Sequence, residues 1–420
     1  MKQRIAVIGG GISGIMAAHR LQSDYLVTLF ERQDYLGGHT HTITVPSGPD
    51  EGLHVDTGFI VFNDWNYPVI MDFFAELGIT GKPTVMSFSY NSQKQQLFYS
   101  TRGLRGLFAQ RSNIVRPRYW RFLAGVLTHG PILSRALREG DLSGKSLRQF
   151  FLESKLPMEV FEWLVIPMAA AIWSASFEEI WQFPAETFAR FYHNHGLLSL
   201  WHHPQWYFVE GGSHTYVRNF RERFQGEVRC SAPVTRVDRS EEGVVIHCNG
   251  GTEAFDKVVI AVHADEVLGL LAAPTPSEQQ LFAPWSYSQN ITYLHSDERF
   301  MPSHKSTWAA WNYVERNDLK RQSPVAVTYH MNALQNLKAV QQWLVTLNPH
   351  EPPRSEHVVA RIVYRHPVFS YASLETQARL PSLNGILSTW YCGAYFKNGF
   401  HEDGAVSGKN AANHILTTSR

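Results

Sequence analysis

Residues 4–31 constrain this chain more than any other stretch. Arg4-Ile5-Ala6-Val7-Ile8 is an apolar run of strand length, and Gly9-x-Gly11-x-x-Gly14 follows it at once. Ile15, Ala18 and Leu21 then recur at helical spacing, and Leu26 to Phe30 is a second apolar run. Strand, glycine turn, helix and strand in this order make a βαβ unit, which commits the chain to an α/β fold with a parallel sheet. Gly9 permits the tight turn, Gly11 lets the backbone approach a pyrophosphate, and Gly14 allows the helix to pack closely on the strand. A helix opening at Ile12 and Ser13 directs free N–H groups and partial positive charge at that phosphate. Glu31 ends the second strand, at the spacing of a carboxylate that accepts ribose hydroxyls. The fingerprint implies a dinucleotide and does not by itself separate NAD from FAD.

The rest of the composition limits the remaining classes. A chain of 420 residues has room for one large domain or two interleaved ones. With 44% hydrophobic and 18% charged residues it reads as globular, and a formal charge of +1 argues against nucleic acid as a partner. Aromatic residues reach 13%, with 12 Trp, which suits pockets for flat or apolar ligands. Cys230, Cys248 and Cys392 are odd in number and form no C-x-x-C, so neither a disulfide framework nor a zinc site is expected. His202-His203 are adjacent without a further ligand, so no metal site is expected there either. A cleaved leader would remove the first strand, and a reducing, cytoplasmic compartment is the expectation. The longest uncharged stretch, Trp163 to Phe177, contains Pro167 and is too short for a hydrocarbon core of roughly 30 Å.

Further along, residues 76–200 carry apolar segments at helical spacing with many prolines and arginines, which predicts a mainly helical insertion. Strand-like runs return at Tyr207-Phe208-Val209, Val234 to Val237, Val244-Val245-Ile246 and Val258-Val259-Ile260. Residues 285–365 mix strand-like runs, such as Val325 to Tyr329, with helical ones, and Gly404 to Leu416 reads as a helix. The dinucleotide fold is therefore expected in at least three pieces, with substrate-domain pieces between them.

Glu31-Arg32 followed by Leu36-Gly37-Gly38-His39-Thr40 resembles the second glycine pair of the amine oxidase and phytoene desaturase superfamily of flavoproteins. His39 stands where many members carry Arg. Asp56-Thr57-Gly58 is similar to the turn that brings backbone close to flavin, and Val234 lies in a strand similar to the one whose backbone meets adenine. Trp390 to Tyr395 with Gly399-Phe400-His401-Glu402-Asp403-Gly404-Ala405 looks like the superfamily's flavin-end motif. A helix starting near Gly404 would aim its N-terminus at the N1–C2=O edge of the ring and stabilise the reduced flavin.

The resemblance implies non-covalent FAD held by Gly9, Gly11, Ile12, Ser13, Gly14, Glu31, Arg32, Gly38, His39, Thr40, Gly58, Val234, Gly393, Asp403, Gly404 and Ala405. It implies a Rossmann-like FAD-binding domain of the glutathione-reductase type, formed by residues 1–75, 206–270 and 376–420. This domain is interleaved with an α+β substrate domain, residues 76–205 and 271–375, that carries the helical insertion. Ala171-Ile172-Trp173-Ser174, Asn194 to Leu198, Gly211-Gly212-Ser213, His295-Ser296-Asp297, Trp308 to Asn312 and His366-Pro367-Val368-Phe369 resemble a bacterial amine-oxidase-like subgroup. That subgroup is associated with methyltransferases resembling cyclopropane-fatty-acyl synthases.

The expected chemistry is removal of two hydrogens from a hydrophobic substrate, first a lipid C–C bond and second an amine, with hydride transfer to flavin N5. A redox-neutral flavoenzyme and a non-catalytic flavin- or lipid-binding protein are the alternatives. Amine oxidases of the superfamily usually carry a strand lysine near the flavin. The corresponding run Ser288 to His295 has none, and Lys305 is the nearest alternative. Of the 20 histidines, His195, His295 and His401 sit in family-like motifs. His401 with Glu402 is the expected catalytic pair, and His295 the further candidate.

One feature comes from charge pattern alone. Between Leu77 and Arg138 there is no Asp or Glu, while Lys82, Lys94, Arg102, Arg105, Arg111, Arg116, Arg118, Arg121, Arg135 and Arg138 lie among Phe98, Leu104, Phe108, Trp120 and other large apolar residues. Such a segment suits an anionic membrane surface, giving a peripheral attachment at the inner face. The competing expectation is that these arginines pair with acids elsewhere in the chain.

Overall fold

The computed structural model describes residues 2–173, 175–199, 203–315 and 325–418. Ser174 and His202, both named above, lie outside the described residues.

The opening βαβ unit forms as its pattern requires. Arg4–Ile8 and Leu26–Phe30 pair in parallel, Ile5 opposite Val27 and Val7 opposite Leu29, with helix Ile12–Leu21 between them. The parallel sheet has the order Glu227–Arg229, Leu26–Phe30, Arg4–Ile8, Lys257–Ile260, Thr389–Tyr391, so it is assembled from four distant parts of the sequence. Its central strands are buried on both faces, which is why they read as continuous apolar runs rather than alternating ones. A three-stranded antiparallel sheet, Val234–Arg239, Val244–Cys248 and Gly251–Phe255, leads into the strand Lys257–Ile260.

A seven-stranded mixed sheet lies elsewhere, in the order Val358–Val368, Ser286–His295, Leu344–Leu347, Val327–His330, Trp311–Glu315, Phe88–Ser92, Leu97–Ser100. Its last two strands fall within residues 76–200, which are mainly helical as expected but open with strands. Gly81–Thr84, Phe88–Ser92 and Leu97–Ser100 are strands, and helices dominate only from Gly103 onward. Phe88 and Tyr90, then Leu97 and Tyr99, alternate with period 2, and Tyr90 pairs directly with Tyr99 across a hairpin whose Gln96 has φ 47°.

The longest helix of the insertion, Pro117–Glu139, starts on a proline at its first position and stops at Gly140 in the left-handed region, φ 79°. The uncharged stretch around Pro167 becomes the buried helix Ile166–Trp173. Among the described residues no helix is long and apolar enough to cross a membrane.

The C-terminal helix runs His401–Thr418, one turn earlier than Gly404. It lies directly against Ile12–Leu21. A Cβ at Gly404 would stand 2.8 Å from Ile12 Cγ2, and one at Gly408 only 2.1 Å from the Ser13 carbonyl oxygen. The two glycines thus let the last helix touch the first and bring their N-terminal ends side by side.

Candidate functional site

The site is built where three glycine turns meet. At Gly9, φ is 109°, and a Cβ there would strike the Ala261 carbonyl oxygen at 2.5 Å. At Gly14 a Cβ would strike the Gly9 carbonyl oxygen at 1.9 Å. Both positions are glycine because chain already fills the space. Gly11 differs: its backbone is extended and nothing lies within 4 Å of an added Cβ. It precedes a helix that no side chain caps and whose first turn holds no acid, so the N–H groups at Ile12 and Ser13 face open space. This is the cradle a phosphate fills. Glu31 shapes its floor: Oε2 accepts from Gly10 N at 2.7 Å and Oε1 from Gln33 N at 2.8 Å. The chain leading to Val234 is tied to this end, with Ala232 N donating to the Glu31 carbonyl at 2.8 Å. Arg32 turns outward and pairs with Glu266 at 2.9 Å.

The second glycine pair backs onto the first. Gly37 N donates to the Gly10 carbonyl at 2.8 Å, and Gly38, at φ 59°, faces the Gly11 Cα. Gly58 closes on His39 from the other side, since its Cβ would lie 2.1 Å from the His39 carbonyl oxygen. The His39 ring stacks on Tyr364 at 5.0 Å and lies 5.3 Å from His366 and 6.2 Å from His263. Burial pushes its pKa down to about 4, so the imidazole is neutral at physiological pH. His39 Nε2, His263 Nδ1 and the Tyr395 hydroxyl are buried with no hydrogen-bond partner among the described residues. Unpaired buried polar atoms are costly, and a polar ligand answers them. Together with the open position at Gly11, they fit a dinucleotide.

At the far end, Gly393 N donates to Ser407 Oγ at 2.9 Å, and Ala405 is fully buried. Asp403 Oδ2 accepts from Asn398 N at 3.2 Å and Phe400 N at 3.0 Å, which fixes the loop entering the last helix. Burial raises its pKa to about 6. Cys392 is buried in the core beneath the parallel sheet, and that burial drives its thiol pKa up, so it is an inert packing group.

The expected catalytic residues are not brought together. Glu402 accepts from Val69 N and Ile70 N, each at 2.9 Å, capping the helix Pro68–Glu76 that has no side-chain cap of its own. Both its oxygens are therefore in a helix cap rather than on a base. His401, the next residue back on the helix, points elsewhere. Its ring stacks on Phe59 at 3.9 Å, and its Nε2 lies 2.9 Å from Tyr216 OH and 3.2 Å from Thr40 Oγ1. His295 is fully buried in the seven-stranded sheet with both nitrogens engaged: Nδ1 accepts from Asp297 N at 3.1 Å, and Nε2 donates to Thr346 Oγ1 at 2.8 Å. These partners give Glu402 and His295 structural contacts, and they hold His401 between two hydroxyls and a phenyl ring.

One further imidazole with an unpaired ring nitrogen is His195, whose family-like motif the sequence singled out. Its Nδ1–H donates to the Phe191 carbonyl at 2.9 Å, while Nε2 has no hydrogen-bond partner among the described residues. Its ring stacks on Phe191 at 3.9 Å, and Phe191 stacks on Phe400 at 4.7 Å, the residue just before the last helix. Burial lowers its pKa to about 4. The signal for it was present in Asn194-His195-Gly196, a histidine closing a helix just before glycine. Its neighbour Phe400 lies too far along the chain for any local pattern to reveal. Among the described residues no group of His, Cys, Asp and Glu has metal-holding geometry.

Residues 12–416 match the family described as flavin containing amine oxidoreductase. An FAD-dependent oxidoreductase of Emericella nidulans is 38% identical over 78 residues, which is 18% of this chain and 16% of that protein. A fatty acid isomerase from P. acnes, described as producing CLA, superposes with a TM-score of 0.68 over 99% of both chains at 15% identity. Cyclohexylamine oxidase from Brevibacterium oxydans superposes with a TM-score of 0.70 over 100% of both chains at 14% identity. Identities this low establish the fold and leave the substrate open.

Proposed function

The chain belongs to the flavin containing amine oxidoreductases and is an FAD-dependent oxidoreductase, and from that premise we propose that it dehydrogenates a hydrophobic substrate at a C–C bond of a fatty-acyl or other lipid chain. The observation that carries this reading is the ionic make-up of the interior. Among the described residues no lysine is buried. Lys305 is exposed and pairs with Glu298 at 3.5 Å, and Lys320 lies outside the described residues. Both Glu402 oxygens and Asp403 Oδ2, at the start of the last helix, accept backbone N–H groups, so these carboxylates are largely committed within the chain. His39, His195 and His401 are all held neutral by burial. A neutral, aromatic-lined site suits an uncharged chain better than a cation.

FAD, when bound, supplies the two-electron acceptor that takes a hydride from carbon. The chain supplies the rest. His195 Nε2, an unpaired ring nitrogen, would accept the proton from the adjacent carbon, and the C–H electron pair left behind becomes the double bond. Phe191 stacks on that imidazole, and Phe400 stacks on Phe191, which fixes the ring's orientation. His401, with Tyr216 and Thr40, orients the turn carrying the second glycine pair.

The resemblance to the bacterial subgroup associated with lipid-modifying methyltransferases supports the same substrate class, and a structural neighbour is a fatty acid isomerase. Oxidation of a hydrophobic amine is the second reading, favoured by the family match and by cyclohexylamine oxidase among the neighbours. In this interior the amine would have to enter uncharged. Single turnover with a lipid extract, followed by mass spectrometry, tests the proposal. The product should be lighter than its substrate by two hydrogens. His195→Ala should slow flavin reduction by about 10²-fold or more while keeping its flavin. A product of unchanged mass, or full activity in His195→Ala, contradicts it.

A further inference from the structure

The arginine-rich segment divides into two parts in the folded protein, and Lys82, which pairs with Glu210 at 3.4 Å, belongs to the paired one. Arg118 and Arg121 both meet the buried carboxylate of Glu159, the former at 2.7 Å, and Arg135 pairs with Glu139 at 2.7 Å. For these three the expectation of pairing within the chain holds. Lys94, Arg105 and Arg111 have no hydrogen bond or ion pair among the described residues. Among the described residues the Arg116 side chain donates only to the Gln96 carbonyl, at 2.8 Å, and meets no carboxylate.

These four cations belong to one fastened piece of surface. Gln110 accepts from Phe98 N at 2.9 Å and donates to the Gln96 carbonyl at 3.0 Å, which pins the hairpin turn carrying Lys94 to the short helical turn Arg111–Val115. Tyr119 OH donates to the Leu107 carbonyl at 2.6 Å and ties down the helix Gly103–Leu107 that bears Leu104 and Arg105. Trp120 Nε1 donates to the Ile114 carbonyl at 2.8 Å, and its ring lies 5.7 Å from Phe108.

What this surface presents to solvent is apolar as well as basic. Leu104 is 75% exposed and Val115 80%, and Ile114, Trp120 and Leu127 are at least half exposed. Trp120 and Leu127 are seven residues apart on one helix and share a face. Large exposed apolar side chains clustered among unpaired cations are unusual on a chain that is nearly neutral overall.

We propose that this surface, around Lys94, Arg105, Arg111, Arg116, Val115 and Trp120, docks the protein on an anionic lipid bilayer. Charge complementarity selects the occupant: the cations answer lipid phosphates, and the segment from Leu77 to Arg138 that carries them contains no Asp or Glu of its own. Tryptophan and branched aliphatic side chains interleaved with arginine match the boundary between headgroups and acyl chains. The docking does not rest on the identity of the substrate.

The test is sedimentation of the flavin-loaded protein with vesicles of phosphatidylcholine alone, and with vesicles in which phosphatidylglycerol is mixed. The protein should bind the anionic vesicles at low salt, release at high salt, and ignore the neutral ones. Arg105→Ala with Arg111→Ala should weaken binding by about 30-fold, the change that roughly 1 kcal/mol per basic side chain implies. Val115→Asp should weaken it as well, and Arg236→Ala, a charge outside the segment, should leave it unchanged. Retained flavin absorbance in each variant reports an intact fold. Failure to bind anionic vesicles at low salt, equal binding to neutral ones, or unchanged binding in the segment variants overturns the proposal. So does loss of self-association in Val115→Asp without any vesicle binding, since the surface would then be an interface between copies of the chain.

Discussion

Replacing Gly11 separates cofactor binding from folding more cleanly than any other change in this protein. An added Cβ at Gly11 meets no protein atom within 4 Å, and the extended backbone there, φ −73° and ψ 177°, accepts any residue. Gly11→Val should therefore leave the stability of the flavin-free protein within about 0.5 kcal/mol. The same side chain projects into the cradle at the start of helix Ile12–Leu21. Displacing the phosphate from that helix loses one or two charge-assisted hydrogen bonds, each about 1.5–3 kcal/mol, which is a loss of affinity of roughly 10–10⁴-fold. Gly14→Ala is the contrasting case. Its Cβ would overlap the Gly9 carbonyl oxygen at 1.9 Å, so the strand–helix unit itself must give way and the folded protein should be lost. The assay is the flavin-to-protein absorbance ratio after purification, followed by fluorescence titration of the stripped protein with FAD, with circular dichroism to report folding. Gly11→Val should be folded and colourless, and acid precipitation of the native protein should release all its flavin. A Gly11→Val protein with full flavin occupancy would refute the placement of the phosphate at this turn.

Lys305→Met should leave flavin reduction by the true substrate within a few fold, because that amine is exposed and pairs with Glu298; a loss of several orders of magnitude in stopped-flow reduction would restore an amine-oxidase lysine. Glu402→Gln should cost about 1 kcal/mol, read as a drop in melting temperature, since it weakens the cap on helix Pro68–Glu76; an unchanged melting temperature with abolished turnover would make Glu402 a catalytic group after all. Acid should destabilise the flavin-free protein well before ordinary carboxylates titrate. Five histidines, His39, His195, His295, His366 and His401, have pKa values of about 3 to 4 when folded, against roughly 6.5 when unfolded, so the stability from keeping them neutral is lost as pH falls from 6.5 towards those values. Asp56 and Asp403, raised to about 6, act in the opposite sense, since their contribution is present below the unfolded pKa and lost as pH rises through 6. The histidines prevail, so unfolding near pH 5 should take up roughly three protons, a slope of about 4 kcal/mol per pH unit; denaturant midpoints that stay flat between pH 6.5 and 5 would contradict the burial of these rings.

The nucleotide end was legible because every determinant lies within 28 residues of sequence and each has a local reason. Gly9 and Gly14 are glycine because backbone fills the space of their Cβ, and Glu31 reaches Gly10 from the end of the neighbouring strand. The flavin end was only half legible. The start of the last helix could be placed to within a turn, but the partner of Glu402 is the backbone of Val69 and Ile70, more than 300 residues away, and no motif announces a side chain that caps another helix. His295 looked like a catalytic candidate because of its motif. Only the strand pairing that sets it beside Thr346 reveals it as part of the sheet interior. The strands at Gly81–Thr84, Phe88–Ser92 and Leu97–Ser100 were overlooked because prolines and arginines dominate the surrounding stretch, although Phe88, Tyr90, Leu97 and Tyr99 carry the period of a buried hairpin. The arginine-rich segment could be recognised from sequence. Its division into cations paired within the chain, Arg118 and Arg121 on Glu159 among them, and cations left without a carboxylate required the fold.

Anaerobic reduction of the bound flavin tests dehydrogenation of a lipid chain most directly. The oxidised protein, freed of oxygen, is mixed in turn with a lipid extract, with purified fatty-acyl lipids and with a panel of hydrophobic amines, and the flavin absorbance is followed. Bleaching by an acyl lipid, with a double bond appearing in that lipid and no bleaching by the amines, is the expected result. Bleaching by amines alone would contradict it and make the protein an amine oxidase.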